Sequence, residues 1–231
     1  MYENLTLEQK VERLLDIQEV RNLMGKYEYY GFNNDPESIV EMFSTREDAY
    51  VDCEGIGVLE GPAGIRKFFV DWHKSLNGDV NGVFAIHAVT TEVIEVAEDG
   101  KTARGIWISP GAEAKHSVAG ELESYWIWGK YPIDFIMEDG KWKFWIFRIP
   151  HDLLCDFHHS WTDLDGQKLG GDIESEEAKP VGDRPSVYPE NFYSGSRPAS
   201  AFFVPPLPYR TERDLEGFWG EPYTLDSESL R

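Results

Sequence analysis

The chain has 231 residues, 41% apolar and 28% charged, an ordinary mix for one large domain or one domain with a substantial tail. Its 42 acidic side chains against 22 basic ones give a formal net charge of −20, which repels phosphate backbones and anionic lipid, so neither nucleic acid nor a membrane is an expected partner. No run approaches the roughly 20 uninterrupted apolar residues of a membrane span. The opening MYENLTLEQKVERL predicts no secretory leader, and the sparse cysteines, Cys53 and Cys155, fit a reducing cytoplasm.

The first predicted element is a helix over residues 7 to 31, where Leu7, Val11, Leu14, Ile17, Val20, Met24 and Tyr27 fall on one stripe. Thr6 with Gln9 offers a capping box, and Gly31 followed by NND-Pro36 closes the helix. Asp35 as cap and Pro36 at the first position start a second short helix. AYVDCEGIGVLEG reads as two short strands turning at Glu54-Gly55. GPAGIRKFFVDWHKSL reads as a third helix with Ile65, Phe68, Phe69 and Trp72 buried. The period then switches to two. FAIHAVTTEVIEVAEDG, KTARGIWISPG, GELESYWIWGKYPIDFIMEDG and KWKFWIFRIPHDLL predict four long strands, with polar turns at Glu98-Asp99-Gly100 and Glu138-Asp139-Gly140. Helices first and an antiparallel meander afterwards predict an α+β fold. A strongly curved sheet wrapped around the helices would form a cone with a cavity at its open end.

The composition changes near residue 160, so residues 1–160 are read as the domain and 161–231 as an extended arm rich in Gly, Pro and charge. The arm carries Tyr188, Phe192, Tyr193, Phe202, Phe203, Tyr209, Phe218 and Trp219, and a disordered tail would be poor in aromatics. It is expected to pack on the domain or on a neighbouring subunit. No CxxC, HExxH, P-loop or GxGxxG is present, so no metal, nucleotide or other cofactor is expected. The adjacent His158 and His159, with Asp156 and Asp163 nearby, read as solvated side chains, with a metal as the alternative.

Residues 8 to about 150 resemble the SnoaL-like branch of the nuclear-transport-factor-2-like superfamily. The resemblance rests on the first helix ending in GKYEYYG, on GVLEGPAGI, on IHAVTTEVIEV, on DGKTARGIW and on the closing GKYPIDFIMEDGKWKFWIFR. It implies a cone-shaped fold, a homodimer or homotrimer, and any of several cofactor-free activities. Within the superfamily the chain is similar to the bile-acid and scytalone dehydratase groups, which pair a helix tyrosine with a strand histidine. Tyr27 in GKY and His87 in FAIHAVT match those positions, while the places of the dehydratase carboxylates fall at Phe32 and Gly111. The long aromatic tail is more like that of larger members acting on lignin-derived diarylpropanes.

Elimination needs a base for a proton and an acid for the departing oxygen. The resemblance assigns these roles to His87 and Tyr27, with Tyr30 lining the same opening. Trp107 shares strand parity with Ala103, Gly105 and Ser109, and small residues beside one large ring suit a ligand pocket. Tyr125 and Tyr131 share one face of the next strand. Arg148 orients substrate or pairs with Asp134 or Asp52, and Asp52 is a spare carboxylate near the opening. The expected function is a cofactor-independent lyase for a small hydrophobic, hydroxylated aromatic or polycyclic compound. An isomerase or polyketide cyclase using the same groups, or a non-catalytic binding or assembly protein, are the alternatives.

Overall fold

Thr6 caps the first helix, α1 (Leu7–Phe32), accepting from the Gln9 N–H at 3.2 Å while the Gln9 side chain accepts from the Thr6 N–H at 2.9 Å. The computed structural model describes residues 5–72, 81–116, 120–162, 182–188, 193 and 203–212. Only the second half of the predicted stripe is covered. Val20 and Met24 are buried, whereas Leu7 and Leu14 are 79% and 65% exposed. Two side-chain contacts join the first half of α1 to the sheet. Arg13 donates to the carbonyls of Val96 and Ala97, and the Trp142 indole donates to Asp16 at 3.0 Å. Helix α2 (Pro36–Val40) starts at Asp35, which accepts from the Ser38 N–H. Helix α3 (Gly61–Arg66) continues into a π-helical stretch, Lys67–Trp72, that buries Phe68, Phe69 and Val70 in succession. The last residues of the predicted third helix lie outside the described residues.

Strands β1 (Tyr50–Cys53) and β2 (Gly57–Glu60) form the first hairpin. The two strand patterns predicted on either side of the central hairpin are each broken into two pieces. Ala88 and Val89 lie outside the strands and divide the first into β3 (Phe84–His87) and β4 (Thr90–Val96), both paired with β5 (Thr102–His116), and Thr91, at φ 52°, sits at a register shift within β4. Pro150, with no N–H to give a ladder, breaks the last into β7 (Lys141–Ile149) and β8 (His151–Asp156), both paired with β6 (Leu122–Glu138). The β6–β7 turn places Asp139 and Gly140 both at positive φ, as a two-residue hairpin requires.

The described strands form one open sheet in the order β2-β1-β7-β6-β5-β3, with β4 also on β5 and β8 also on β6. The sheet is mixed, which corrects the expectation of a purely antiparallel one. Strand β1 lies parallel to β7, Tyr50 beside Ile146, because it reaches the sheet from α2 and not through a hairpin with its neighbour. The fold is α+β, with the helices on one face of the sheet and the main apolar core between them.

The other face carries polar and apolar groups in separate zones. Arg104, Asp134 and Arg148 are buried there, the Asp134 carboxylate lying 2.8 Å from the Arg148 Nη2 and 3.5 Å from the Arg104 Nε. Tyr209 stacks its ring 4.8 Å from the Arg104 guanidinium and donates its hydroxyl to Thr102, and Phe203 packs on Ile106 with Tyr188. Beyond this zone, Phe84, Ile86, Ile108, Trp126 and Trp128 are exposed. Of the other tail aromatics, Phe192, Phe202, Phe218 and Trp219 lie outside the described residues.

Candidate active site

Side chains alternate along a strand, so once the register is known each candidate can be assigned to a face. On β5 the residues 103, 105, 107, 109, 111 and 113 face the helices. On β6 the same face carries Tyr125, Ile127, Tyr131, Ile133 and Phe135. His87 of β3 sits opposite Gly111 and shares it. The C-terminal part of α1 then lays Tyr27 and Glu28 across this face, which brings Tyr27, Tyr131 and His87 onto one side of the sheet.

Tyr27 is packed edge-on against Phe69, Tyr131 and Phe144, with Phe147 at 4.8 Å between centroids. It shares a hydrogen bond with Tyr131. That bond lowers the pKa of Tyr27 and raises that of Tyr131, so the Tyr131 hydroxyl favours a Tyr27 that gives up its proton. Burial and the nearby Glu28 carboxylate nonetheless push the Tyr27 phenol well above its ordinary value. Tyr131 is pushed up by burial and by Tyr27 itself. Both phenols therefore stay protonated at neutral pH.

His87 is held at two points. Its backbone N–H donates to the Glu28 carboxylate at 2.6 Å, and its Nε2 lies 2.9 Å from Glu113 Oε1. Burial alone would lower the imidazole pKa, but the hydrogen bond and charge of Glu113, with Glu28 behind it, outweigh burial and raise it. Burial works against the Glu113 carboxylate, but His87 and Lys115 hold it far below the usual carboxylate range. Glu113 is thus an acceptor only. The proton of neutral His87 must sit on Nε2, which leaves the Nδ1 lone pair free for chemistry. Glu28 itself is raised by burial, partly offset by its contacts with His87.

Neither carboxylate was among the candidates read from the sequence. Glu28 directly follows Tyr27, and Glu113 has the strand parity of Trp107 two positions past Gly111, so adjacency and parity were the available signals. The remaining candidates are distributed as follows. Tyr30 is partly buried on α1 against the core. Trp107 is fully buried, and its own ring fills the space beside Gly105, where a Cβ would come within 2.3 Å of the indole. Tyr125 is buried farther along β6, its hydroxyl donating to Glu123 and its ring 5.4 Å from the Lys115 ammonium. Asp52 and Arg148 lie on the opposite face of the sheet from Tyr27 and His87, in register with one another across β1 and β7. Asp52 accepts there from the Val187 N–H, and Arg148 pairs with Asp134. A small cavity of about 20 Å³, room for roughly one water, lies beside them, between Lys130, Tyr188 and Phe203.

Among the described residues no group of three or more His, Cys, Asp and Glu is arranged to hold a metal ion, and no helix is long and apolar enough to cross a membrane. What the site offers is a carboxylate-oriented imidazole beside a pair of protonated phenols, a set suited to moving protons.

No curated protein matches the sequence. Among solved structures, a scytalone dehydratase assignment from Novosphingobium aromaticivorans superposes with a TM-score of 0.54 at 18% identity, covering 70% of this chain and 97% of that one. The structure of LinA gives 0.51 at 19% identity, covering 71% and 95%. The hexachlorocyclohexane dehydrochlorinase LinA-type3 from Novosphingobium barchaimii gives 0.52 at 20% identity, covering 65% and 96%. At these identities the likeness is one of fold. The SnoaL-like domain profile matches residues 12–148, more than half the sequence and all of the residues gathered around Tyr27 and His87. The chain belongs to the SnoaL-like domain family, within the nuclear-transport-factor-2-like fold.

Proposed function

We propose that this protein is a cofactor-independent lyase that carries out dehydration, or a related C–O or C–C elimination, on a small hydrophobic hydroxylated compound of aromatic or polycyclic type. The observation that carries the reading is the His87–Glu113 pair beside the Tyr27–Tyr131 pair on one face of the sheet. In a dehydration, His87 Nδ1 takes the proton from the carbon next to the carbinol carbon. The C–H electrons form the new double bond as the C–O bond breaks. The departing oxygen takes the Tyr27 proton and leaves as water, and Tyr27 is reprotonated from the imidazolium or from solvent. Glu113 stabilises the imidazolium, and the Tyr131 hydroxyl supports the developing charge on Tyr27. The fold relatives named dehydratase and dehydrochlorinase agree with an elimination.

The test is product mass. Incubation with a panel of benzylic and alicyclic alcohols on one or two rings should give a product lighter by one water or one formaldehyde. An isomer of unchanged mass would replace the lyase with an isomerase or cyclase.

The pH dependence follows from the sign of the His87 shift. A base must be neutral, and the His87 pKa is raised above its ordinary value of about 6.5. The acidic limb of kcat/KM should therefore lie above pH ~6.5. In Glu113→Gln the charge that raises the pKa is lost while burial remains, so the limb should move to lower pH and the rate on the plateau should fall about tenfold or more. A limb that stays in place would remove Glu113 from the mechanism.

A second reading, a non-catalytic ligand-binding or assembly protein, is favoured by the dense ring packing around Tyr27. Tyr27→Phe separates the two: it should impair an enzyme and leave ligand binding by a non-catalytic protein unchanged.

A further inference from the structure

Ser109 lies on β5 between Trp107 and Gly111, on the face that carries Glu113. The ladder between β5 and β6 is uninterrupted from Thr102↔Ile136 to His116↔Leu122, so strict alternation fixes that placement. Ser109 pairs with Gly129, which makes Tyr131 its diagonal neighbour on one side. Gly111 pairs with His87, which makes His87 its diagonal neighbour on the other. Diagonal positions are about 7–8 Å apart, within reach of aromatic side chains or of a small guest between them. The hydroxyl therefore stands between the imidazole and the phenol pair. Directly across from it, and two positions along, are glycines, so no side chain from either place reaches it.

Ser109 is 3% exposed, and among the described residues its Oγ has no hydrogen-bond partner. Buried hydroxyls are almost always satisfied, because one without a partner bears its full desolvation cost. A buried water, a group beyond the described residues or a bound guest is left to pair this one. We propose that Ser109 is a substrate-contacting residue whose hydroxyl bonds an alcohol or carbonyl oxygen of the guest, holding it between His87 Nδ1 and the Tyr27 hydroxyl. This rests on the lyase reading and narrows it: the site selects ring compounds carrying an oxygen at that point and rejects the corresponding hydrocarbons, since a polar group built to be paired penalises a guest that cannot pair it.

The test uses 2-naphthol and naphthalene as probes, with binding measured by equilibrium dialysis, alongside thermal melting of the full-length chain. The wild type should bind 2-naphthol about tenfold or more tighter than naphthalene. Ser109→Ala should reduce that ratio about tenfold and melt at the same or a higher temperature, because it deletes an unpaired buried group. Ser109→Thr keeps the hydroxyl and should keep much of the ratio. A Ser109→Ala variant that melts several degrees lower would show the hydroxyl engaged within the protein and overturn the assignment. An undiminished ratio in Ser109→Ala, with turnover abolished by His87→Ala, would overturn this contact alone. Equally weak binding of both probes by the wild type would overturn it together with the lyase reading.

Discussion

His87→Ala is expected to lower turnover about 10²- to 10⁴-fold, the range usual for losing a general base, while leaving the fold intact. The fold should survive because the backbone N–H of residue 87, and with it the bond to Glu28, remains. The β3–β5 pairing at Gly111 is also a main-chain contact. The orphaned Glu113 carboxylate keeps Lys115 at 3.5 Å. Added imidazole should restore part of the rate, because the deleted ring leaves a hole beside a carboxylate that still orients a guest imidazole. Steady-state kinetics with and without imidazole, on whichever alcohol the wild type dehydrates, decide the matter. Full turnover in the variant would remove His87 from the chemistry.

The second large effect lies on the opposite face of the sheet. Asp134→Ala should cost about 3–5 kcal/mol of stability, because it leaves two buried guanidiniums without their shared carboxylate. The side chains of Arg104, Asp134 and Arg148 are 0%, 3% and 6% exposed, so solvent cannot replace the lost charge. Burial pulls the Arg104 pKa down even with Asp134 in place. At Arg148 burial opposes the charge as well, and Asp134 more than offsets it. Replacing all three residues with apolar ones of similar size should recover much of the loss, since the pairing then has no desolvation to offset. Urea denaturation of the single and triple variants measures both values. A single-variant loss below about 1 kcal/mol would mean that water reaches the guanidiniums.

The sequence made local features legible and long-range ones obscure. The Thr6 and Asp35 caps, the buried half of the α1 stripe and the tight turn at Asp139-Gly140 are each set by residues a few positions apart. The breaks at Ala88-Val89 and Pro150 were hidden because apolar residues continue through them, and only the pairing of both halves with one neighbouring strand shows the bend. The candidate site divides the same way. Tyr27 and His87 came from a family pattern, and the shared face of Tyr125 and Tyr131 from parity. Parity does not say which face is inward, so Asp52 and Arg148 were grouped with residues from which the sheet separates them. Glu28 and Glu113 were passed over because a glutamate on a mostly polar helix, or near a strand end, looks like a solvated charge until its partner is located.

The side-by-side arrangement of Tyr50 and Ile146 bears on how the molecule is made. A ribosome delivers the first hairpin long before the strand that will flank it, so β1 must wait, one edge bare, while nearly a hundred further residues emerge. Contacts of such sequence separation slow folding and expose the nascent polypeptide to association with its neighbours. Chains halted before residue 141 should accordingly be the ones that chaperones retain and that accumulate as inclusion bodies.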